Sequence, residues 1–375
     1  MKLTPVVSWC WICLLTVLTL SACGVEEKAV PVLRIGHSPQ DHHAPLYIAA
    51  VNGDYFREHG GIWLKEKVHR REYELFDQGR LLAKMVIDAS TGGEEMIRRL
   101  VEEQYDMTLG GVPAMLHFID QGSPIRIVAP IMADGAGLVL RPDMEVSDWD
   151  EFVAFVRSSE APVKIGYKIA VSVQSLILEQ ALREAGLAFT HDAGDTAAGV
   201  LLVNLYGEEN LLPALKNGLV DGIVANQPFL ALAEEQGIGK VAAMQGDLPP
   251  IGKWRGIPCC ALAAADSYAG EHPRVVEAMI TLMLRATRFI NDFPDKSAVQ
   301  IARWIEIDPG VEKKSLSTIS YLTEYNEEWE QGIKYWVEAM IAGGILNARV
   351  KDAYDQDHLS GLIYGPLSEK AGDKK

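Results

Sequence analysis

Cysteine is scarce in this sequence, and its positions exclude a fold held together by disulfides. Only 5 of the 375 residues are cysteine, and three of them, Cys10, Cys13 and Cys23, lie near the N-terminus. The other two, Cys259 and Cys260, are adjacent, and neighbouring cysteines can be joined only through a strained disulfide. They lie inside the apolar run IPCCALAAA, so we expect two small buried side chains in a strand.

The sequence also lacks the motifs of several large enzyme classes. It has no GxxxxGK[ST] phosphate loop, no GxSxG nucleophile elbow and no HExxH zinc motif. The spacing of its carboxylates does not indicate a paired acid–base site. We interpret Glu208-Glu209 and Glu327-Glu328 as solvated faces or as charges at helix starts. Hydrolysis of ATP by this chain is therefore not expected.

Basic residues are outnumbered by acidic ones. The chain has 35 Lys and Arg against 51 Asp and Glu, a formal net charge of −16. Nucleic-acid binding requires clustered cations, so a nucleic-acid partner is not predicted. Hydrophobic residues make up 48% and charged residues 23% of the chain, a balance typical of folded proteins. The length exceeds what one simple core usually holds, so we expect two lobes.

A long membrane-spanning run is missing too, although the N-terminus is apolar. The run at residues 6–20 follows a single charge, Lys2, and is shorter than the ~20 residues that cross a bilayer. Small residues follow in LSAC at residues 20–23, as at the cleavage site of a secretory signal. We therefore predict a signal peptide at residues 1–22, a tether at residues 23–31 and an exported mature chain.

The LSAC sequence resembles the lipobox of bacterial lipoproteins. The resemblance implies that the Cys23 thiol carries a diacylglyceryl group and that Cys23 becomes the first mature residue. Acyl chains partition into a bilayer at ~0.8 kcal/mol per buried CH₂, so two or three of them hold a soluble domain at the membrane. The alternative is an unmodified cysteine that is discarded with the signal. We predict a lipid-anchored protein of the cell envelope, in the periplasm or on the outer face of the cytoplasmic membrane.

Strand-like and helix-like segments alternate along the chain. The pattern predicts one α/β series before the turn at Pro142-Asp143 and a second after it, with an irregular charged insert between IWLKEKV and AKMVIDAST. Ser172 is the expected N-cap of one helix and Gly186 its stop. From Glu271 onward the chain is expected to be almost wholly helical. Strands joined by helices favour parallel sheets with helices on their faces.

This order predicts a discontinuous first lobe with a second lobe inserted into it. The expected boundaries are residues 32–132 with 258–375 for lobe 1, and residues 133–257 for lobe 2. Ligands of open α/β sheets bind beyond the carboxyl ends of the strands. Two such lobes facing each other form a cleft that can close around a ligand.

Four segments, in this order, resemble a known family. They are RIGHSPQDHHAPLYIAAVNGDYFREHGG, GGEEMIRRLVEEQYDMTLGG, VDGIVANQPF and YWVEAMIAGGIL. Together with the lipobox they resemble the solute-binding lipoproteins of nitrate/sulfonate/taurine-type ABC importers (NitT/TauT, NMT1/THI5-like), including relatives that bind thiamine-precursor pyrimidines. The resemblance implies an α/β, two-lobed type II periplasmic-binding-protein fold. Each lobe would be a mixed, mostly parallel sheet flanked by helices, with a helical C-terminal region.

The same resemblance implies a function. The chain would be a monomeric, non-enzymatic component of an ABC importer that captures a small organic solute or oxyanion, such as a sulfonate, nitrate or a pyrimidine, between its lobes. It would deliver the solute to a membrane permease driven by a separate ATPase subunit, without a cofactor. Lys168 and Arg255 are the cations nearest the predicted cleft segments, and this scarcity favours a neutral or weakly charged organic solute.

Candidate ligand-binding residues follow from the predicted strand ends and helix starts. Glycine allows backbone N–H groups to approach a ligand closely, and a helix N-terminus offers unpaired N–H donors to an anionic group. The resemblance places the segment that begins at Asn226 at the cleft. Tyr167 and Trp254 are candidate flat walls, with a core or rim position favoured for Trp254. For each candidate, an ordinary structural role in a turn or in the core is the alternative to ligand contact. The predicted residues are Ser38, Asp41, His42, His43, Gly92, Gly93, Gly110, Gly111, Tyr167, Ser172, Val173, Gln174, Asn226 and Gln227.

The histidine pair is the most conspicuous part of this set. Adjacent side chains point in different directions in a strand or a helix, so His42 and His43 are poorly placed to share one metal. His37 and Asp41 with one of the pair would complete only a partial set of ligands, and no metal site is predicted. Instead we expect one histidine to contact the solute, so that His42→Ala and His43→Ala differ in ligand affinity. Asp41 has a second candidate role as the cap of the helix that contains Pro45.

Two other functional classes stay open at this point. The resemblance extends to a pyrimidine-making enzyme of thiamine biosynthesis, which consumes one of its own histidines and holds pyridoxal phosphate on a lysine. That enzyme is intracellular and has a cysteine-rich motif that Cys259-Cys260 does not match. The other alternative is a metal-binding protein, or one that feeds a sensor rather than a permease.

Overall fold

The computed structural model describes Met1 and residues 29–90 and 92–363. The predicted signal peptide, apart from Met1, lies outside the described residues, and so do the predicted lipidation site Cys23 and most of the predicted tether. The strands are β1 (Val32–His37), β2 (Ile62–Val68), β3 (Glu72–Asp77), β4 (Arg80–Ala89), β5 (Met107–Gly111), β6 (Ile125–Asp134), β7 (Ala136–Leu140), β8 (Val163–Tyr167), β9 (Phe189–Thr190), β10 (Val200–Asn204), β11 (Gly222–Asn226), β12 (Lys240–Met244), β13 (Pro258–Ala265) and β14 (Ile319–Tyr321).

Helices surround these strands and dominate the C-terminal region. They are α1 (Ala44–Val51), α2 (Gly53–Glu58), α3 (Glu94–Val101), α4 (Val112–Asp120), α5 (Trp149–Ser158), α6 (Val173–Glu184), α7 (Leu211–Lys216), α8 (Phe229–Glu235), α9 (Asp266–Glu271), α10 (Pro273–Asp292), α11 (Pro294–Ile305), α12 (Pro309–Leu316), α13 (Glu327–Ala342), α14 (Arg349–Asp355) and α15 (Leu359–Ile363). Ser172 caps α6, as predicted, because its side chain accepts a hydrogen bond from the Ser175 N–H. None of the described helices combines the length and the apolar composition that crossing a membrane would require.

The strands form two sheets. The larger sheet has the order β14-β6-β13-β5-β1-β4-β3-β2, and the smaller has the order β12-β7-β11-β8-β10-β9. In the smaller sheet β8 pairs in parallel with β10 and β11, and β9 with β10, while β7 runs antiparallel to its two neighbours. In the larger sheet β1 pairs in parallel with β4 and β5, but all the other pairs of neighbouring strands in that sheet are antiparallel. The mixed α/β class is as predicted, whereas the predominance of parallel pairing holds only for the smaller sheet.

The chain changes sheet at a single glycine. β6 ends at Asp134 in the larger sheet, and β7 begins at Ala136 in the smaller one. Between them Gly135 has a φ of +68°, a left-handed conformation that favours glycine. The chain returns to the larger sheet between β12 and β13. Two stretches of backbone therefore connect the parts of the molecule that carry the two sheets.

The prediction of an irregular charged insert before β4 was wrong. Residues 72–77 form β3, which pairs antiparallel with both β2 and β4. Tyr73 and Leu75 are buried while the glutamates beside them are more exposed, the alternation of a half-buried strand. The hairpin to β4 turns at Gln78 and Gly79, with φ of 48° and 81°, as tight hairpins require. A second missed strand, β14, interrupts the helical C-terminal region.

Candidate functional site

Polar side chains from both sheets meet where the strands end. Ser38 and Gln40 follow β1 of the larger sheet. Lys168 follows β8 of the smaller sheet, Asn226 ends β11, and Glu208 begins a short 3-10 helix after β10. We call Ser38, Gln40, Lys168, Glu208 and Asn226 the inter-sheet cluster. Each of the five is at most 8% exposed.

Two hydrogen bonds join the larger-sheet part of the chain to the smaller-sheet part within this cluster. The Ser38 hydroxyl donates to the Glu208 carboxylate, and the Asn226 amide donates to the Gln40 side-chain oxygen. Such contacts fix the position of one sheet relative to the other, because both partners in each pair are buried and each bond joins the two parts of the molecule.

The inter-sheet cluster contains a buried ion pair. Lys168 Nζ lies 3.3 Å from a Glu208 carboxylate oxygen and 3.2 Å from the Asn226 side-chain oxygen. The two charged side chains are 10% and 6% exposed. The interpretation of Glu208 as part of a solvated face was wrong, because only Glu209 of that doublet is exposed. The alternative, a charge at a helix start, agrees with the short 3-10 helix that begins at Glu208. Burial of Glu208 is stable because Lys168 compensates its charge.

Glycines predicted to approach a ligand lie against the opposite part of the molecule. Gly92 has a φ of +87°, and a Cβ there would lie 3.0 Å from Ser38 Oγ and 3.4 Å from a Glu208 oxygen. A Cβ on Gly93 would lie 2.6 Å from Ile169 Cγ2, and one on Gly111 would lie 3.6 Å from Val173. Gly110 differs, because a Cβ at this position would contact Ile97 of the neighbouring helix α3. Gly92 therefore borders the inter-sheet cluster and Gly111 faces the start of α6, while Gly93 lies against Ile169, the residue after Lys168.

The two histidines of the doublet are both buried but have different partners. His43 Nδ1 lies 2.9 Å from the Ser38 N–H and 3.1 Å from the Ser38 carbonyl oxygen. His42 Nε2 donates to the carbonyl of Gly135, at 3.1 Å, and its Nδ1 faces the sulfurs of Cys259 and Cys260. His43 thus supports the segment that carries Ser38, while His42 contacts the glycine at which the chain changes sheet.

His42, Cys259 and Cys260 form a second buried group, which we call the thiol–imidazole cluster. The Cys259 and Cys260 sulfurs lie 3.4 and 3.8 Å from His42 Nδ1. Both cysteines are buried and unbridged, as expected from the sequence. The contact with Cys259, followed by the contact with the ring of His42, lowers the pKa of Cys260 despite burial. The contact with Cys260, together with burial, raises the pKa of Cys259.

Asp41 is directed towards helix α12. Its carboxylate accepts a hydrogen bond from the Ser315 hydroxyl, and its carbonyl accepts one from the Tyr321 hydroxyl at 2.7 Å. The predicted capping role was wrong, because His43 is the N-cap of α1 and no side chain caps that helix. Burial raises the pKa of Asp41 to about 6. Burial, together with the charge of Asp41, raises the pKa of the neighbouring Glu312 to about 10.

The raised pKa of Glu312 predicts a pH-dependent stability. From its ordinary pKa of 4.5 up to about 10, the native state keeps a proton on Glu312 that the unfolded chain releases. Stability contributed at this site therefore falls as the pH rises, by up to ~1.4 kcal/mol per pH unit. Glu312→Gln removes the titration, so we expect it to melt above the wild type at pH 8 and to lose this advantage near pH 5. Thermal unfolding across this range, with the exposed Glu328→Gln as control, checks the prediction; parallel curves would contradict it.

The remaining predicted residues are placed around the cluster rather than within it. Tyr167 is buried, and its hydroxyl lies 3.2 Å from His191 Nδ1. Gln227 donates to Thr318 Oγ1 at 3.1 Å, so it also links the two parts of the chain. Trp254 is fully buried beside Tyr335 and Trp336, the core position favoured from the sequence. Ser172, Val173 and Gln174 form the buried start of α6.

Sequence reasoning missed most of the partners that these residues have. Lys168 was noted only as a nearby cation, and Gln40 was not among the predicted residues. The available signal was a lysine directly after a predicted buried strand, since such positions border the cleft in open α/β sheets. The metal set considered around His37 and Asp41 is not assembled, because His37 pairs with Tyr47 and Asp41 with Ser315.

Comparison with known proteins identifies a family for most of the chain. Residues 26–306 match the NMT1-like family. The putative binding protein YtlA of Bacillus subtilis is 21% identical over 327 residues, which cover 83% of this chain and 84% of YtlA. These matches span both sheets.

Solved structures share the architecture at low sequence identity. The periplasmic nitrate-binding protein NrtA from Synechocystis PCC 6803 superposes with a TM-score of 0.70 at 14% identity, covering 92% of this chain and 89% of NrtA. The ligand-binding component of an ABC-type import system from Staphylococcus aureus, solved with zinc bound, gives a TM-score of 0.68 at 16% identity, covering 91% of this chain and 99% of that protein. The predicted two-lobed periplasmic-binding-protein fold is confirmed.

Proposed function

The chain belongs to the NMT1-like family, and we propose that it is the extracytoplasmic solute-binding component of an ABC importer. It binds a small solute between its two lobes and delivers the solute to a membrane permease that a separate ATPase subunit drives. The chain acts by binding rather than by catalysis, as a monomer. Relatives that support this proposal include a nitrate-binding protein and a ligand-binding component of an import system.

The inter-sheet cluster is the observation that carries the proposal. It lies beyond strand ends of both sheets, the position where ligands of α/β folds bind. Two of its hydrogen bonds join the two parts of the chain, Ser38 with Glu208 and Asn226 with Gln40. A solute with matching groups would replace these contacts as it enters, without leaving buried polar atoms unpaired.

The lobes that enclose the solute follow the two sheets. We assign residues 32–132 and 258–375 to lobe 1 and residues 133–257 to lobe 2. This division is supported by the change of sheet at Gly135 and by the return of the chain before β13. Ligand-binding residues in this proposal are the predicted set, extended by Gln40, Lys168 and Glu208.

The charges of the cluster favour a solute that carries both an acceptor and a donor. Lys168 offers an ammonium group to an anionic or acceptor group of the solute. Glu208 offers a carboxylate to a donor such as an amine. An aminosulfonate or an aminopyrimidine can pair with both Lys168 and Glu208, whereas nitrate can pair only with Lys168. Within the sulfonate, nitrate and pyrimidine classes, we therefore favour the amino-substituted organic solutes.

Export and lipid anchoring complete the proposal. They rest on the apolar N-terminal run and on LSAC, which ends at Cys23. Acyl chains on Cys23 would keep the binding protein at the membrane that contains its permease. Labelling of cells with a radioactive fatty acid tests this point: the wild type should incorporate label, and Cys23→Ala should not.

A ligand screen by thermal unfolding tests the proposed function. A solute that binds only the native state stabilises it by RT ln(1 + [L]/Kd), about 2.7 kcal/mol at a concentration 100 times the Kd. We expect one class among aminosulfonates, alkanesulfonates, inorganic oxyanions and aminopyrimidines to raise the melting temperature by several degrees. Binding with turnover of the solute would contradict the non-catalytic part of the proposal, which product analysis of the same samples detects.

A further inference from the structure

The thiol–imidazole cluster has the composition and spacing of a metal site. His42 Nδ1, Cys259 Sγ and Cys260 Sγ lie within 4.8 Å of one another, and all three residues are buried. Thiolate and imidazole are the ligands that zinc prefers. Zn–S and Zn–N bonds of about 2.3 and 2.0–2.1 Å at tetrahedral angles place N and S about 3.6 Å apart. The observed 3.4 and 3.8 Å lie on either side of that value.

A β-bulge explains how two adjacent cysteines face one histidine. Pro258 pairs with Ala133 and Cys260 with Met132, so Cys259 is an extra residue on β13. In a regular strand neighbouring side chains point to opposite faces, but a bulge re-aims one of them. The sequence prediction that the cysteines serve only as small buried side chains assumed a regular strand.

The hydrogen bond that His42 Nε2 makes leaves His42 Nδ1 able to bind a cation. A carbonyl oxygen only accepts hydrogen bonds, so the contact with Gly135 places the proton of neutral His42 on Nε2. Nδ1 therefore presents its lone pair to the two sulfurs. Metal-binding histidines commonly have their other ring nitrogen held in this way by a carbonyl or a carboxylate.

A further buried nitrogen belongs to His43, the residue that follows His42 in the chain. The Nε2 atom of His43 is buried without a hydrogen-bond partner among the described residues. His43 is fully buried, with its Nδ1 held at Ser38. An unpartnered donor or acceptor in such a position is costly unless a ligand satisfies it.

We propose that His42, Cys259 and Cys260 bind one Zn²⁺ ion through His42 Nδ1 and the two sulfurs. Two thiolates and a neutral imidazole give a zinc complex with no net charge, which suits a buried position. Three protein ligands leave the fourth tetrahedral position open, as in zinc sites that bind water or a substrate. The site goes beyond the proposed importer function and stands whether or not the solute is identified.

The test uses the full chain with the N-terminal thiols removed. In a Cys10→Ser, Cys13→Ser, Cys23→Ser background, two of the five cysteines remain, and both belong to the cluster. Under reducing conditions, Co²⁺ should produce a sulfur-to-metal charge-transfer band and the intense visible bands of tetrahedral coordination. Zn²⁺ should abolish these bands at one equivalent. Absence of the charge-transfer band would overturn the proposal.

Variants in the same background assign the ligands. Competition with a chromophoric chelator should show that Cys259→Ser and Cys260→Ser each weaken Zn²⁺ binding by about 100-fold or more. Gly135→Ala should weaken it by about 10- to 100-fold, the usual effect of disturbing a residue that orients a ligand, because a Cβ there would lie 3.0 Å from His42 Nε2. His272→Gln, outside the cluster, should leave the affinity unchanged. Equal Zn²⁺ affinity in all variants, or binding of Cu⁺ without Zn²⁺, would contradict the assignment, and thermal unfolding of each variant excludes simple misfolding.

Discussion

Replacing Lys168 by methionine is expected to lower the free energy of unfolding by about 3–5 kcal/mol, the usual cost of removing one partner of a buried ion pair. The change leaves the Glu208 carboxylate buried with no compensating cation, and it removes a donor to Asn226. Denaturation by urea, monitored by tryptophan fluorescence, measures the loss. A cost below about 1 kcal/mol is typical of exposed pairs and would show that the cluster is solvated.

A double variant and a surface pair provide the controls for this experiment. Lys168→Met with Glu208→Gln removes both charges, so we expect it to be markedly more stable than Lys168→Met alone. Lys313 pairs with Asp295 at 2.7 Å, but those side chains are 68% and 76% exposed. Lys313→Met should therefore cost no more than about 1 kcal/mol. Additive losses at Lys168 and Glu208 would indicate that the two charges do not interact.

Gly93→Ala is expected to weaken solute binding by about 10- to 100-fold, equal to roughly 1.4–2.7 kcal/mol. A Cβ on Gly93 would meet Ile169 Cγ2 at 2.6 Å, a distance that real side chains do not adopt. Ile169 belongs to the part of the chain with the smaller sheet, so relief of this clash moves the two sides of the cluster apart. Isothermal titration with the solute identified by thermal screening measures the change.

Gly186→Ala is the matched control for Gly93→Ala. Gly186 has a φ of +65°, close to the +66° of Gly93, but a Cβ there would meet nothing within 4 Å. Both substitutions are disfavoured by the left-handed backbone, at about 1–2 kcal/mol, yet only Gly93→Ala should change the affinity. Similar affinity losses in the two variants would attribute the effect to general destabilisation.

Much of the fold was predictable because its signals are local. Alternating apolar strands and amphipathic helices indicated the mixed α/β class, and the Ser172 cap was visible in the sequence. β3 was missed because its charged residues, Glu72 and Glu74, hid the alternation of Tyr73 and Leu75. β14 was missed because a strand of three residues is defined by its pairing with β6 rather than by its own composition.

The candidate site was predictable only in part, because its partners are distant in sequence. Ser38 and Asn226 stood out as polar residues at strand ends, and the structure brings both into the inter-sheet cluster; their contact with a solute stays a prediction. The burial of Glu208 depends on Lys168, 40 residues earlier. The approach of Cys259 to His42 depends on a bulge that sequence composition does not reveal. Pairings of this kind follow from tertiary packing and not from local patterns.

The most direct measurement is the affinity of the identified solute for the wild type and for the variant that combines Lys168→Met with Glu208→Gln. This variant removes the charges of the inter-sheet cluster while preserving the shape of both side chains approximately. If the solute binds at the cluster, calorimetric titration should show an affinity loss of about 100-fold or more, since each buried hydrogen bond to a charged group contributes about 1.5–3 kcal/mol. An unchanged affinity in a variant that is folded would contradict the account, because the solute would then bind elsewhere.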